Sequence, residues 1–181
     1  MNAAPPSSPV RLTILQGEAK ASADPAVEMT TILGSCVATC LYDPLAKVGG
    51  MNHFLLGEPS GGSASARVDG DYGLYLMEVL INDMLAQGAL KQRLRARLYG
   101  GGNLNPDLGA IGSANARFAR EFLRKEGIEK AFEDLEGTHA RRVDFRPATG
   151  QVRCRRIAET AAPTQKPQAR PSDLVGGVEL F

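Results

Sequence analysis

Residues 30–56 read TTILGSCVATCLYDPLAKVGGMNHFLL, and this stretch decides the fold. Two short apolar runs, at 36–41 and 49–56, flank Asp43-Pro44, a dipeptide that favours a turn. Apolar runs of this length between turn residues are typical of buried strands. The stretch therefore predicts a β-hairpin.

The turn also predicts the register of this hairpin. In an antiparallel pair the numbers of opposed residues add up to a constant, and a turn centred between Pro44 and Leu45 makes Cys36 and His53 partners. We expect these two to lie opposite each other or one residue from that position, with β carbons about 4.5–5.5 Å apart when directly opposed. A shift by one residue would turn His53 to the other face of the sheet.

A thiol beside an imidazole is a candidate nucleophile. The thiolate is the form that attacks. The imidazole favours formation of the thiolate, so the thiol pKa should fall below about 8.5, and the imidazole later protonates the leaving group. Gly34 and Ser35 come just before the cysteine, where main-chain N–H groups would bind an oxyanion. Thr30, on the neighbouring strand, is the candidate hydroxyl that orients the base. The set indicates acyl transfer from a carboxamide or ester through a thioester.

Other roles for these residues stay open on the residue pattern alone. A lone cysteine in an apolar strand is usually a small buried hydrophobic residue, as we expect for Cys40 and Cys154. Cys36, Cys40 and His53 would be three zinc ligands, but C-x3-C without a second paired motif is a weak zinc signature. We expect no metal and no organic cofactor.

Alternation and helix signals predict the rest of the fold. In residues 27–33 the odd positions, with Thr31, share the face of Leu33, and Thr30 lies on the opposite face. One helix is predicted from Asp71, as its N-cap, to about Gln87, and another from Ser113 to Gly127. Further strands are predicted at 10–14, 93–99, 128–132, 142–145 and 151–157. We expect an α/β (α+β) layered sandwich with a largely antiparallel or mixed sheet and two main helices.

Composition limits the class of protein. The chain has 181 residues, 43% of them hydrophobic, and a formal net charge of +1, which fits one domain without the concentrated positive charge of a nucleic-acid binder. Three cysteines favour a reducing compartment. No apolar run approaches the roughly 18 residues of a membrane span, and the N-terminus lacks a signal-peptide pattern. We expect a cytoplasmic protein that binds no nucleic acid and does not insert into the membrane.

The chain resembles the CheD-type chemoreceptor glutamine deamidases of bacterial chemotaxis. The resemblance rests on LGSCVA at 33–38, LYDP at 41–44 and KVGGMNHFLL at 47–56. Downstream it continues in Gly100-Gly101, Ile111-Gly112, Ala140-Arg141-Arg142-Val143, Thr149-Gly150 and GGVELF at 176–181. It covers about residues 10–157 and implies a layered sandwich similar to that of bacterial toxin deamidases.

The resemblance also implies a Cys-His-Thr catalytic set. By position, Cys36 is the nucleophile, His53 the base and Thr30, six residues before the cysteine, the orienting hydroxyl, with the adjacent Thr31 as the alternative. The implied reaction converts particular glutamines on the cytoplasmic helices of chemoreceptors to glutamate and releases ammonia. Methylesterase activity on receptor glutamates and pairing with a CheC-type phosphatase are implied as well, and no metal or organic cofactor.

The chain organisation follows from these assignments. We expect a disordered N-terminus over 1–8, a deamidase domain over 9–157 and a flexible C-terminal tail over 158–181 whose apolar end is a candidate docking segment. The alternative function is a non-catalytic adaptor that binds receptors or a CheC-type phosphatase. A third keeps the nucleophile but transfers the acyl group to an amine.

Overall fold

The computed structural model describes residues 9–56, 62–105 and 110–157. The expected N-terminal segment 1–8 and the tail 158–181 lie outside the described residues. In chain order the elements are β1 (Val10–Thr13), β2 (Glu18–Ser22), β3 (Val27–Leu33), β4 (Val37–Asp43), β5 (Val48–Phe54), α1 (Gly62–Ala86), a 3-10 turn (Lys91–Arg93), β6 (Arg95–Gly100), α2 (Ile111–Glu126), β7 (Glu129–Leu135), β8 (Ala140–Arg146) and β9 (Gln151–Ile157).

Within the described residues the strands form two sheets. A four-stranded sheet has the order β1-β3-β8-β9, and a five-stranded sheet has the order β2-β5-β4-β6-β7. The pairs β1–β3 and β6–β7 are parallel and the other five pairs are antiparallel. The expected α+β class with a largely antiparallel, mixed arrangement and two main helices is confirmed.

The five-stranded sheet lies between the helices and the four-stranded sheet. Every residue of β4 and β5 is buried because both faces are covered. Val37 and Leu41 face the helices, where they join Leu80 and Phe122 in one apolar core. The alternate positions face the other sheet in a second core that contains Cys36, Ala38, Cys40, Met29, Leu33, Met51 and Phe145. Burial of each large apolar side chain stabilises the layers by about 1.5–3 kcal/mol.

The hairpin forms, but its register differs from the expected one by two residues. Ala38, not Cys36, lies opposite His53. The reason is the connection over residues 44–47. The Asp43 carboxylate accepts the N–H groups of Leu45 and Ala46, so the centre of the turn lies further along the chain than expected. A shift of two residues preserves the face, so Cys36 and His53 still point into the layer between the sheets.

The helix starts also differ from the expected ones. Asp71 is not an N-cap, because α1 already begins at Gly62. The second helix begins at Ile111 rather than after Ser113. Asn103, from the loop after β6, donates to the Ser113 hydroxyl and accepts from the Ser113 main-chain N–H. A residue outside the helix, ten positions earlier in the chain, therefore holds this end of the helix. Gly127 ends the helix in the left-handed conformation, as expected.

One strand was not predicted from the sequence. The β2 residues, EAKAS, are small or charged and have weak strand propensity. They form a strand because the backbone pairs with β5, from Glu18 opposite His53 to Ser22 opposite Gly49. No helix in the described part of the chain is long and apolar enough to span a membrane.

Candidate active site

His53 lies on β5 with its ring between the two sheets. Its Nδ1 atom is 2.9 Å from the Thr31 hydroxyl and 3.3 Å from the main-chain carbonyl oxygen of Ile14. The Thr31 hydroxyl donates its own hydrogen to that carbonyl, at 2.7 Å. With its single hydrogen engaged, the hydroxyl oxygen accepts from Nδ1, so the hydrogen-bond network assigns the proton of the neutral ring to Nδ1. The lone pair is then on Nε2.

This Nε2 atom has no hydrogen-bond partner among the described residues, although it is buried. A buried polar atom without a partner costs about 1–3 kcal/mol, so native structures keep few of them. Burial also lowers the pKa of His53 to about 4, against the opposing effects of the Ile14 carbonyl and Glu18. The ring is therefore neutral at pH 7 and has a free lone pair, as a general base requires.

Cys36 lies at the end of the loop that leads into β4, and its side chain is only 6% exposed. The thiol donates a hydrogen bond to Oε1 of Gln16, at 3.5 Å. Burial raises the pKa of Cys36 to about 12, against the opposing effect of its own backbone N–H. The expected low thiol pKa is thus wrong for the free protein. In the described structure the thiol forms its hydrogen bond with Gln16 and not with His53.

The loop before Cys36 is fixed through three successive carbonyl groups. The oxygen of Gly34 accepts from Gly102 N at 2.8 Å, that of Ser35 from Asn115 Nδ2 at 2.8 Å, and that of Cys36 from Gly101 N at 2.7 Å. These bonds hold the cysteine loop against the loop after β6 and against α2. A cavity of about 120 Å³ adjoins Ser35 on this side.

Glycine is required where the loops meet. Gly100 has a φ of +105°, a conformation that disfavours any other residue, and an added β carbon would overlap the carbonyl oxygen of Cys36. Gly100 therefore allows the close approach of two backbones at the loop that carries Cys36.

Asn115 joins the two segments that carry the candidate residues. It is fully buried on α2, and besides its bond to Ser35 its Oδ1 accepts the N–H of Leu56 at 2.8 Å. One side chain thus links the residue before Cys36 to the chain three residues after His53. Sequence reasoning missed Asn115, although an amide on the apolar face of an amphipathic helix is a signal that could have found it.

Thr30 does not contact His53. Its hydroxyl donates to Asp144 Oδ1 at 2.7 Å, on the face of the four-stranded sheet that points away from the other sheet. The cause is the period of two in β3, which turns Thr31 inward with Met29 and Leu33 and turns Thr30 outward. Thr30 therefore lies on the face that the alternation of β3 predicts, but it is not the hydroxyl expected beside His53; that hydroxyl belongs to Thr31.

Of the remaining cysteines, Cys40 is buried as expected, whereas Cys154 is only partly buried. Cys40 is fully buried between the sheets, and Cys154 on β9 is half-buried with its sulfur 3.7 Å from Asp134 Oδ2. No group of three or more His, Cys, Asp or Glu side chains that would hold a metal occurs in the described residues.

Comparisons with known proteins give consistent relatives. The family model described as CheD chemotactic sensory transduction matches residues 55–156. A Zymomonas mobilis protein named probable chemoreceptor glutamine deamidase CheD is 52% identical over 171 residues, which cover 94% of this chain and 92% of that protein. A Caulobacter vibrioides protein of the same name is 47% identical over 183 aligned positions, which cover 97% of this chain and 96% of its own.

Solved structures add little to these relatives. YfiH from Bacillus licheniformis gives a TM-score of 0.40 at 14% identity, over 64% of this chain and 49% of that chain. A Neisseria meningitidis protein gives 0.43 at 13% identity, over 72% and 65%. Neither likeness is close enough to support an argument.

Proposed function

The chain belongs to the CheD family, and on that premise we propose that it hydrolyses the side-chain amide of particular chemoreceptor glutamines to glutamate. The observation that carries the proposal is the buried, neutral His53, with Nδ1 held by Thr31 and Nε2 without a partner in the described structure. A ring prepared in this way, in the same layer as the Cys36 thiol, fits a nucleophile and base better than a pair of packing residues.

The proposed reaction begins with proton transfer. The Cys36 thiol gives its proton to His53 Nε2 while the sulfur attacks the substrate carboxamide carbon and the carbonyl electrons move to oxygen. The tetrahedral intermediate collapses, the bond to nitrogen breaks, and His53 protonates the leaving ammonia. Water, deprotonated by His53, then attacks the thioester and releases glutamate and the thiol. The net reaction consumes one water and balances without metal or organic cofactor.

Thr31 is proposed as the residue that orients the base, in place of Thr30. Its hydroxyl and the Ile14 carbonyl both accept from Nδ1–H, which fixes the tautomer and stabilises the imidazolium that forms during attack. Main-chain N–H groups at Gly34 and Ser35 stay our candidates for binding the oxyanion, because the bonded carbonyls at 34–36 hold this loop rigidly.

Burial determines when the nucleophile forms. With the thiol pKa raised and the imidazole pKa lowered, the free protein holds a neutral pair and not a thiolate–imidazolium pair. We propose that the proton moves only as the substrate carbonyl arrives, because the oxyanion and imidazolium then form together.

Finer parts of the proposal rest on the family resemblance. A glutamate methyl ester presents the same carbonyl to the thiol, so receptor methylester hydrolysis follows from the same steps. We also propose that residues 9–157 form the deamidase domain, that it acts in the cytoplasm where the receptor helices lie, and that a CheC-type phosphatase is a partner.

Conversion of receptor glutamines tests the proposal. Purified protein is incubated with receptor cytoplasmic fragments, and peptide mass spectrometry maps glutamine-to-glutamate conversion. We expect conversion by the wild type and by Cys154→Ala, a matched cysteine variant outside the site, and none by Cys36→Ala. Unchanged conversion by Cys36→Ala would refute the nucleophile. A wild type that binds the fragments without converting them would support the adaptor alternative, and adducts with an added primary amine would indicate an acyltransferase.

A further inference from the structure

The loop between β1 and β2 contacts both members of the proposed catalytic pair. Its Ile14 carbonyl accepts from Thr31 and lies beside His53 Nδ1, and its Gly17 N–H donates to the main-chain oxygen of His53 at 2.8 Å. Between these two residues, Gln16 extends its carboxamide to the sulfur of Cys36. Nothing in the residue pattern pointed to Gln16.

The contact is made where a negative charge has to form. Attack requires the sulfur to lose its proton, and burial makes the bare thiolate costly. Within the described structure the only side chain that forms a hydrogen bond to this sulfur is Gln16, through Oε1, which accepts from the thiol. An acceptor on the sulfur suits the protonated state and opposes the charged one.

A carboxamide is able to serve both states. It carries an oxygen that accepts and an NH₂ group that donates, at opposite ends of one planar group. The torsion that turns this plane is soft and roughly two-fold, so a half-turn exchanges oxygen and nitrogen at small cost. Asparagine offers the same exchange of oxygen and nitrogen, but its side chain is one carbon shorter.

We infer that Gln16 is a further catalytic residue of the proposed reaction, accepting the thiol hydrogen in the resting state and donating its N–H to the sulfur as the proton passes to His53. Gln16 forms no covalent bond and takes up no proton. It stabilises the developing thiolate by a charge-assisted hydrogen bond. The inference rests on the proposed function, because it assigns Gln16 a step of that reaction.

Two other roles for Gln16 give different results. As a cover, it would shield the thiol, and its removal would speed reactions of Cys36. As an internal substrate, it would itself be converted to glutamate by Cys36.

Substitutions in the full-length chain separate the three roles. Gln16→Met keeps the length and bulk of the side chain without donor or acceptor, and Gln16→Glu keeps the acceptor but loses the N–H and adds a negative charge. Leu15→Ala is the matched control, since its side chain is half exposed in the same loop. Alkylation of Cys36 by iodoacetamide is followed by peptide mass spectrometry from pH 7 to pH 10.

We expect Gln16→Met to slow alkylation about 10- to 100-fold at every pH, the effect of one hydrogen bond to a charged group. Gln16→Glu should be slower still, because its carboxylate repels the thiolate, and Leu15→Ala should match the wild type. In deamidation assays kcat should fall about 10- to 100-fold in Gln16→Met and further in Gln16→Glu, with KM changed less than about threefold.

Four results would overturn the inference. Alkylation of Gln16→Met at the wild-type rate or faster would show a cover, and conversion of Gln16 to glutamate in the wild type but not in Cys36→Ala would show a substrate. An unchanged kcat in Gln16→Met beside an active wild type would refute this inference alone. A wild type that converts no receptor glutamine would refute the proposed function, and the inference with it.

Discussion

Thr30 and Thr31 are chemically identical neighbours, and the pleat of β3 sends their hydroxyls to opposite faces of one sheet. Thr30 bonds to Asp144 on the outer face, and Thr31 bonds to Ile14 and His53 on the inner face. Position relative to the cysteine favoured Thr30, whereas the alternation of apolar residues already put Thr31 on the buried side. The face of the strand on which a threonine lies therefore decides whether its hydroxyl reaches His53, and the number of residues between it and Cys36 does not.

Valine substitutions test this difference, because valine keeps the shape of threonine and removes the hydroxyl. We expect Thr31→Val to lower kcat about 10- to 100-fold, since Nδ1 loses a partner that also stabilises the imidazolium. Thr30→Val is the matched control and should keep kcat within about twofold while losing about 1 kcal/mol of stability. Thr31→Ser should restore most of the activity. Equal losses in both valine variants would contradict the assignment.

The buried imidazole predicts a pH dependence of stability. The pKa of His53 is about 4 in the folded protein against an ordinary value near 6.5, so below pH 6.5 the unfolded chain binds the proton first. The contribution of neutral His53 to the free energy of unfolding should therefore be fully present above pH 6.5. The free energy of unfolding should fall by about 3 kcal/mol as the pH drops to 4. Urea titrations check this, with His53→Asn expected to show a much flatter profile between pH 6.5 and 4.5.

At the scale of elements, the β4–β5 hairpin is held by one buried carboxylate. Asp43 accepts N–H groups of the turn and of Leu90, and pairs with Arg93 at 2.8 Å. Burial would raise the pKa of Asp43, but the N–H groups of Ala46 and Leu90 and the Arg93 guanidinium lower it to about 2. This carboxylate fixes the length of the turn and therefore which residues of β4 and β5 are opposed.

Removal of the Asp43 carboxylate should lower the free energy of unfolding by more than the substitution of a turn residue normally does. Asp43→Ala leaves Arg93 and three main-chain donors without their partner, so we expect a loss of about 3–4 kcal/mol in the free energy of unfolding. Leu45→Ala, at an exposed position of the same turn, should change it by less than about 0.5 kcal/mol. Chemical denaturation at pH 7 measures both, and similar values for the two variants would refute the anchoring role.

At the scale of the whole molecule, the candidate site depends on how the two sheets dock. Arg141, on β8 of the four-stranded sheet, is almost fully buried and reaches across to the five-stranded sheet. It pairs with Asp134 of β7 at 2.9 Å and donates to the carbonyl oxygens of Glu136 and Gly100. This guanidinium lies across the layer that also holds Cys36, Thr31 and His53.

Neighbouring arginines allow a matched test of this link. We expect Arg141→Ala to destabilise the protein by about 2–4 kcal/mol, because buried acceptors lose their donor. Arg142→Ala removes an exposed guanidinium from the outer face, where its pair with Asp144 is partly solvated, and should cost less than about 1 kcal/mol. Thermal unfolding measures the stability of both variants. A smaller loss of stability for Arg141→Ala than for Arg142→Ala would contradict the bridging role.

Local signals accounted for much of the fold. Alternation in residues 27–33 and the glycine at 127 were interpreted correctly because period and backbone freedom are properties of the local chain. The start of α2 and the strand β2 were missed for the opposite reason. Asn103, in the preceding loop, holds the start of α2, and β2 forms a strand because it pairs with β5. Both partners lie outside the segment that they order, so the residues of the segment alone do not predict them.

The sequence by itself determined the hairpin, the α+β class and the presence of a thiol and an imidazole in one layer, because strand period and turn residues act over a few positions. Only the tertiary structure decided that Thr31 orients toward His53, that Asn115 joins the two segments and that Gln16 meets the sulfur. Those contacts connect residues 20 to 80 positions apart. They depend on how sheets and helix pack, and no local pattern of residues specifies the docking of one layer on another.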